Sequence, residues 1–228
     1  MAAWRGRFVA LSAYHVDVRT LLIRGVVAVV VLAGLGALFV RSARAVRATP
    51  YSVTKGQLAH WTLTLEPVTE GSGRLLSLRA DPMLVHGLFK QVFARAGESL
   101  NAPTVAAIPL MLTREFDRAM AGQLSPEALL QMARDAGLDQ ARPEPVCLAL
   151  RRISEPSATR QAYFVLFTLP AFEVFRRQVA ERLGPSAGFD EAAQSPVVLV
   201  AATDALFERW LPIHADATAD CTAPIAVE

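Results

Sequence analysis

The chain has 228 residues, 53% of them apolar, with 23 basic against 21 acidic side chains and a formal net charge of +2 at pH 7. Residues 1–24 alone carry +3, four Arg less Asp17, which leaves the remainder near neutrality and excludes a basic nucleic-acid surface. Arg outnumbers Lys by 21 to 2, and Ala, Val, Pro and Gly are abundant, the bias of GC-rich bacterial coding.

Residues 1–20 form a short basic and aromatic tail. Trp4, Phe8 and Tyr14 lie among Arg5, Arg7 and Arg19; aromatic rings partition to membrane interfaces and arginines meet anionic headgroups, so these three rings are candidate lipid or partner contacts. Residues 21–40 are apolar or glycine except for Arg24. At about 1.5 Å per helical residue the run covers the roughly 30 Å of a bilayer's hydrocarbon core and predicts one transmembrane helix. Arg24 lies near its edge, where the long stem can snorkel to the headgroups. Gly25, Gly34 and Gly36 leave a smooth face on which Gly34 is a candidate contact to another transmembrane helix. Ala43-Arg44-Ala45 has a small-x-small cleavage pattern, but Arg41 and Arg44 and a run beyond the roughly 7–15 residues of a signal peptide's apolar region favour an uncleaved anchor.

Four basic residues precede the run (Arg5, Arg7, Arg19, Arg24) and four follow it (Arg41, Arg44, Arg47, Lys55), so the positive-inside rule is tied. A large domain translocates largely regardless of charge, and both cysteines fall on the large side; the expectation is a bacterial inner-membrane protein with a periplasmic domain. Cys147 sits in an apolar strand-like run and is read as a buried small hydrophobe in preference to half of a bridge, while the even pair Cys147 and Cys221 stays compatible with one.

After a juxtamembrane linker (41–56), residues 57–122 give strand, turn, strand, helix, strand, short helix. Residues 58–66 alternate around Trp61, Leu63 and Leu65, Glu70-Gly-Ser-Gly73 is a turn, and 74–79 return. Asp81 caps a helix opened by Pro82, with Leu84, Val85, Leu88, Phe89, Val92 and Phe93 at three- and four-residue spacing, and Gly97 ends it. Residues 108–112 are a strand that Pro109 places at an edge or at a strand start, and Thr113 caps a short helix. A linker segment (123–144) holds a helix capped by Ser125, opened by Pro126 and ended by Gly137.

The same order returns over 145–211. Strands 146–153 and 161–168 flank the turn Ser154-Glu-Pro-Ser157, Pro170 opens a helix ended by Gly184, 197–201 is a buried-type strand, and Thr203 or Asp204 caps a short helix. Leu63 and Leu65 are echoed by Leu148 and Leu150, Gln91, Arg95 and Gly97 by Gln178, Arg182 and Gly184, and Phe116 by Phe207. The predicted fold is therefore α+β: one N-terminal transmembrane helix followed by a globular domain of two tandem ββαβα-like modules, with 212–228 as a C-terminal tail.

Catalytic signatures are absent: the sequence contains no Gly-x-Ser-x-Gly, no phosphate-cradling Gly-x-x-x-x-Gly-Lys and no Cys-x-x-Cys-His. His214, Asp216, Asp220 and Cys221 gather metal-ligand donor types, yet in a tail without periodicity to fix their geometry they are weak candidates, and no metal or cofactor is expected. His60 and His86 lack a convergent partner. Trp210 joins the candidate partner contacts. These features together predict a non-catalytic accessory subunit of a larger bacterial membrane complex, in contact with other membrane subunits and lipid. The alternatives are a tethered small-molecule-binding or sensing module using the seam between the modules, and an anchored hydrolase of unfamiliar site.

Overall fold

The computed structural model describes residues 18–66, 73–120, 122–155, 158–204 and 213–228, and within these the side chains of 18–23, 39, 42–48, 155 and 158 lie outside the description. The chain divides into two compact units, residues 1–46 and 47–228.

Helix α1 (Val18–Ala48) contains the apolar run, and its described side chains, 24–38, 40 and 41, are all exposed. Among the described residues no helix is long and apolar enough to cross a membrane; Leu21, Leu22, Ile23 and Phe39 of the predicted span lie outside the described side chains.

The second unit is an α+β domain. Its first sheet has five strands in the order β1 (Tyr51–Val53), β8 (Cys221–Val227), β5 (Glu144–Glu155), β6 (Ala158–Thr168) and β7 (Val197–Ala202); only β1–β8 is parallel. The second has three antiparallel strands in the order β2 (Trp61–Leu65), β3 (Arg74–Ala80) and β4 (Ala107–Leu112). Pro109 thus lies on an edge strand, as a residue without an N–H should. β4 lies against β7, and α3 (Pro82–Ala96) packs on β7 and β1. One continuous apolar core runs through both sheets, from Leu76, Leu78 and Ile108 to Val165, Val198 and Phe175.

Local signals set most boundaries. Asp81 accepts from Met83 N at 2.8 Å ahead of Pro82, and Gly97 closes α3 at φ 69°, a left-handed position that a Cβ would strain. Ser125 caps α5 (Pro126–Asp135), and Gly184 follows α6 (Pro170–Leu183). The turn predicted at 70–73 and the short helix after Thr203 lie largely outside the described residues.

Four sequence expectations are corrected. Strand β2 begins at Trp61 rather than 58, because Thr54 and Gln57 form a capping box that winds Lys55–Ala59 into a helical turn, α2. Thr113 does not cap α4 (Thr113–Ala119); Glu115 reaches back to Leu112 N at 3.0 Å and does so instead. Residues 212–228 are not a tail, since after α7 (Ala217–Asp220) the chain enters the sheet as β8. Pro224 is tolerated there because the ladder to β5 ends at Pro224 and the ladder to β1 starts at Ile225. Lastly, Cys147 and Cys221 are joined in a disulfide, although Cys147 is also buried.

Two ladders share an irregularity. Between β3 and β4, Leu76 pairs with Met111 and Ser77 with Pro109, so Leu110 bulges. Between β6 and β7, Tyr163 pairs with Ala201 and Phe164 with Leu199, so Val200 bulges.

Candidate functional site

Helix α6 brings an arginine into the core. Phe172, Phe175, Val179 and Leu183 make its buried stripe, and Arg176 occupies a position within that stripe, 1% exposed. A buried guanidinium must have its donors filled. Its Nη2 donates to Glu115 Oε1 (2.9 Å) and to the Asp190 carbonyl (2.6 Å), and its Nε donates to the Glu191 carbonyl (2.7 Å). Nη1 reaches the Leu110 carbonyl at 3.4 Å, and the ring of Phe189 lies 4.7 Å from the cation. The other oxygen of Glu115 accepts from Leu112 N and from the Gln194 side chain. One ion-paired network thus ties α4 and the β4 bulge to the loop between α6 and β7.

Cavities open on both sides of that loop. The first, about 360 Å³, is lined by Phe172, Glu173, Arg177, Gln194, Ser195 and His214 among others. The second, about 320 Å³ and more apolar, includes Arg114, Arg118 and Phe189. Between β4 and β7, where Pro109, Val197 and Leu199 meet, the space is about 10 Å³, room for no more than one water.

The chemistry available in the larger cavity is limited. Ser195 Oγ donates to the Ala215 carbonyl (3.2 Å) and accepts from Ala215 N (2.9 Å), so its hydroxyl is committed to the backbone. His214 Nδ1 lies 2.8 Å from the Ala192 carbonyl, which can only accept, so that nitrogen carries the proton. Among the described residues neither group bonds the other, and no nucleophile–base pair forms. Glu173 and Arg177 place a carboxylate and a guanidinium on the lining of the same cavity.

The four metal-ligand candidates serve the backbone and the sheet. Asp216 caps α7 through Thr218, whose side-chain and backbone hydrogen bonds hold its carboxyl below the usual carboxylate range. Asp220 pairs with Arg151 at 2.8 Å, Arg151 also donates to the His214 carbonyl at 2.6 Å, and Cys221 is in the disulfide. Among the described residues no three potential ligands cluster. His60 follows α2 and His86 is exposed on α3. Arg24 is exposed on α1 and Gly34 faces open space; Trp4, Phe8, Tyr14 and Trp210 lie outside the described residues.

Sequence reasoning passed over Arg176 and Glu115. A charge four residues after Phe172 and three before Val179, inside an apolar stripe, was the available signal. Elsewhere Glu98 accepts from Tyr163 Oη (3.0 Å) and Gln161 Nε2 (2.8 Å); burial, then this carboxylate, pushes the phenol up to about 12. Comparisons with protein-family models, with curated proteins and with solved structures found no match.

Proposed function

We propose that this chain is a non-catalytic accessory subunit of a larger bacterial inner-membrane assembly, anchored by residues 21–40 with the domain of residues 47–228 on the periplasmic side. The observation that carries the reading is α1: Val26, Val29, Val30, Leu32, Leu35 and Leu38 are each 58–68% exposed. A helix with a valine- and leucine-rich surface on all sides needs lipid or protein around it. The Cys147–Cys221 bridge fits an oxidising compartment. The polar side chains near His214 are engaged in holding loops, which favours a scaffold over an enzyme.

Alkaline carbonate extraction tests the anchor. The wild-type chain should stay with the membrane pellet, and Val31→Arg, which puts a charge at the bilayer centre at a cost of about 2.5–3.5 kcal/mol, should shift it toward the supernatant. Arg24→Leu should leave it in the pellet. Wild-type chain released by carbonate would contradict the reading. The binding-module alternative draws its support from the 360 Å³ cavity beside α6 rather than from the 10 Å³ seam.

We also infer that the domain arose by tandem duplication of a ββαβα-like module. Both hairpin–helix–strand runs have the strand order first, second, third, with antiparallel pairing. Leu63, Leu78 and Ile108 lie side by side across one sheet, and Leu148, Val165 and Val198 across the other. The bulges support the same alignment. Each β6 residue of the second bulge lies 87 positions after its β3 counterpart, and Leu199, Val200 and Ala201 lie 90 after Pro109, Leu110 and Met111. The 87-residue offset also relates Gln91, Arg95 and Gly97 to Gln178, Arg182 and Gly184.

A further inference from the structure

Unpaired strand edges invite pairing with another chain, and soluble folds usually close or spoil them. Among the described residues, three of the four sheet edges carry a feature that hinders such pairing. At β1, which is only three residues long, Gln91 Oε1 accepts from Ser52 N (3.0 Å) and Gln91 Nε2 donates to the Ser52 carbonyl (2.9 Å), so one side chain fills the outward groups. At β7, Asn101 and Ala202 exchange backbone hydrogen bonds of 2.7 and 3.0 Å. β4 carries Pro109 and a bulge, and lies against β7.

β2 has none of these devices. Its sequence, Trp61-Thr62-Leu63-Thr64-Leu65, contains no charge and no proline, and its ladder to β3 runs without a bulge. Glu66 N donates to the Leu75 carbonyl, which fixes the alternation: Thr62 and Thr64 face β3, while the backbone groups of Trp61, Leu63 and Leu65 point outward. Among the described residues these outward groups have no partner. The side chains of Trp61, Leu63 and Leu65 meanwhile join the core, with Trp61 edge-on to Phe167 at 5.4 Å.

We propose that the β2 edge is a homotypic interface, at which β2 of a second copy pairs antiparallel about Leu63 to join the two three-stranded sheets into one of six. The strand is complementary to itself in that register. Leu63 opposes Leu63, Thr62 opposes Thr64, Trp61 opposes Leu65 and, one step out, His60 opposes Glu66, so no like charges meet. Outward-pointing Leu63 at the centre places Trp61, Leu63 and Leu65 in hydrogen-bonded pairs, which uses their free groups. The corresponding edge of the other module shows the same habit within one chain: β5 residues 147–149, the counterparts of 62–64, receive antiparallel β8. Self-pairing through β2 does not depend on the accessory-subunit reading, and it holds or fails whether or not a larger assembly exists.

Thr62 and Thr64 would form a close non-hydrogen-bonded pair across the interface, with Cα atoms about 4.5 Å apart, inside disulfide range. Full-length chain carrying Thr62→Cys and Thr64→Cys, oxidised in its membrane with copper phenanthroline, should give a reductant-sensitive dimer as its main product. Thr62→Cys alone should give far less, because its counterpart is Thr64. In detergent, Thr62→Lys with Thr64→Lys opposes like charges and should weaken self-association by about tenfold or more in sedimentation, with an unchanged thermal melt. A monomeric wild type, a double-cysteine variant that gives no cross-link, a single-cysteine variant that cross-links as well as the double, or a lysine variant that dimerises like wild type would each overturn the proposal.

Discussion

Arg176 ties two separate segments of the domain together, because six hydrogen bonds from residues 110–115 and 190–194 converge on it or on its partner Glu115. Replacing it by Met keeps the volume and strands Glu115 in the interior without its counter-charge. The expected loss is about 3–5 kcal/mol in urea unfolding, and Arg176→Met with Glu115→Gln should recover part of it. A loss under about 1 kcal/mol would show that the network is dispensable. Glu66 offers a second test at this scale. Burial alone would raise its carboxyl, but hydrogen bonds from Arg79 and Ser77 and the charges of Arg79 and Arg74 outweigh this and hold it below the ordinary 4.5. The unfolded carboxyl therefore takes up a proton before the folded one does. The stability it contributes is present above pH 4.5 and is lost as pH falls through the lower folded value. Glu66→Gln should flatten the acid limb of a stability–pH curve measured by denaturant titration; an unchanged limb would assign acid sensitivity elsewhere. Arg176 was half legible in the sequence, as a charge at a core-spaced position. Its partner, 61 residues away, was not, since nothing in local spacing reports a long-range ion pair.

The boundaries of α3, α5 and α6 were the most legible, because each is written in neighbouring residues: Asp81-Pro82 and Gly97 for α3, Ser125-Pro126 for α5, Pro170 and Gly184 for α6. β8 was not legible. Cys-Thr-Ala-Pro-Ile-Ala-Val carries small residues and a proline in what the fold makes an interior strand, so neither alternation nor propensity announces it. The disulfide was hidden for the same reason, since its second cysteine begins that strand. Closing a loop between cysteines 74 residues apart is worth about 4 kcal/mol in the chain-entropy estimate. Cys147→Ser with Cys221→Ser should lose roughly that much in denaturant unfolding, and reductant should lower the wild type to a similar level. A wild type insensitive to reductant would contradict the bridge. Because β8 sits between β1 and β5, removal of residues 212–228 destroys the sheet and cannot serve as a probe of partner contacts.

At the scale of the whole molecule, the order β2, β3, α3, β4 and β5, β6, α6, β7 was readable from periodicity and turns, whereas the way the two sheets meet, with α3 crossing onto β7 and β4 lying against it, depends on tertiary contacts without a local signature. The space where β4 meets β7 is about 10 Å³, nearly closed. Extraction of native membranes in mild detergent followed by native mass analysis tests the proposed membership of this domain, with the helix that precedes it, in a larger membrane assembly. The chain should travel in a particle heavier than its own homodimer, together with other integral membrane polypeptides in fixed ratio; recovery of the chain only as monomer or homodimer, free of any other polypeptide, would overturn the proposed function.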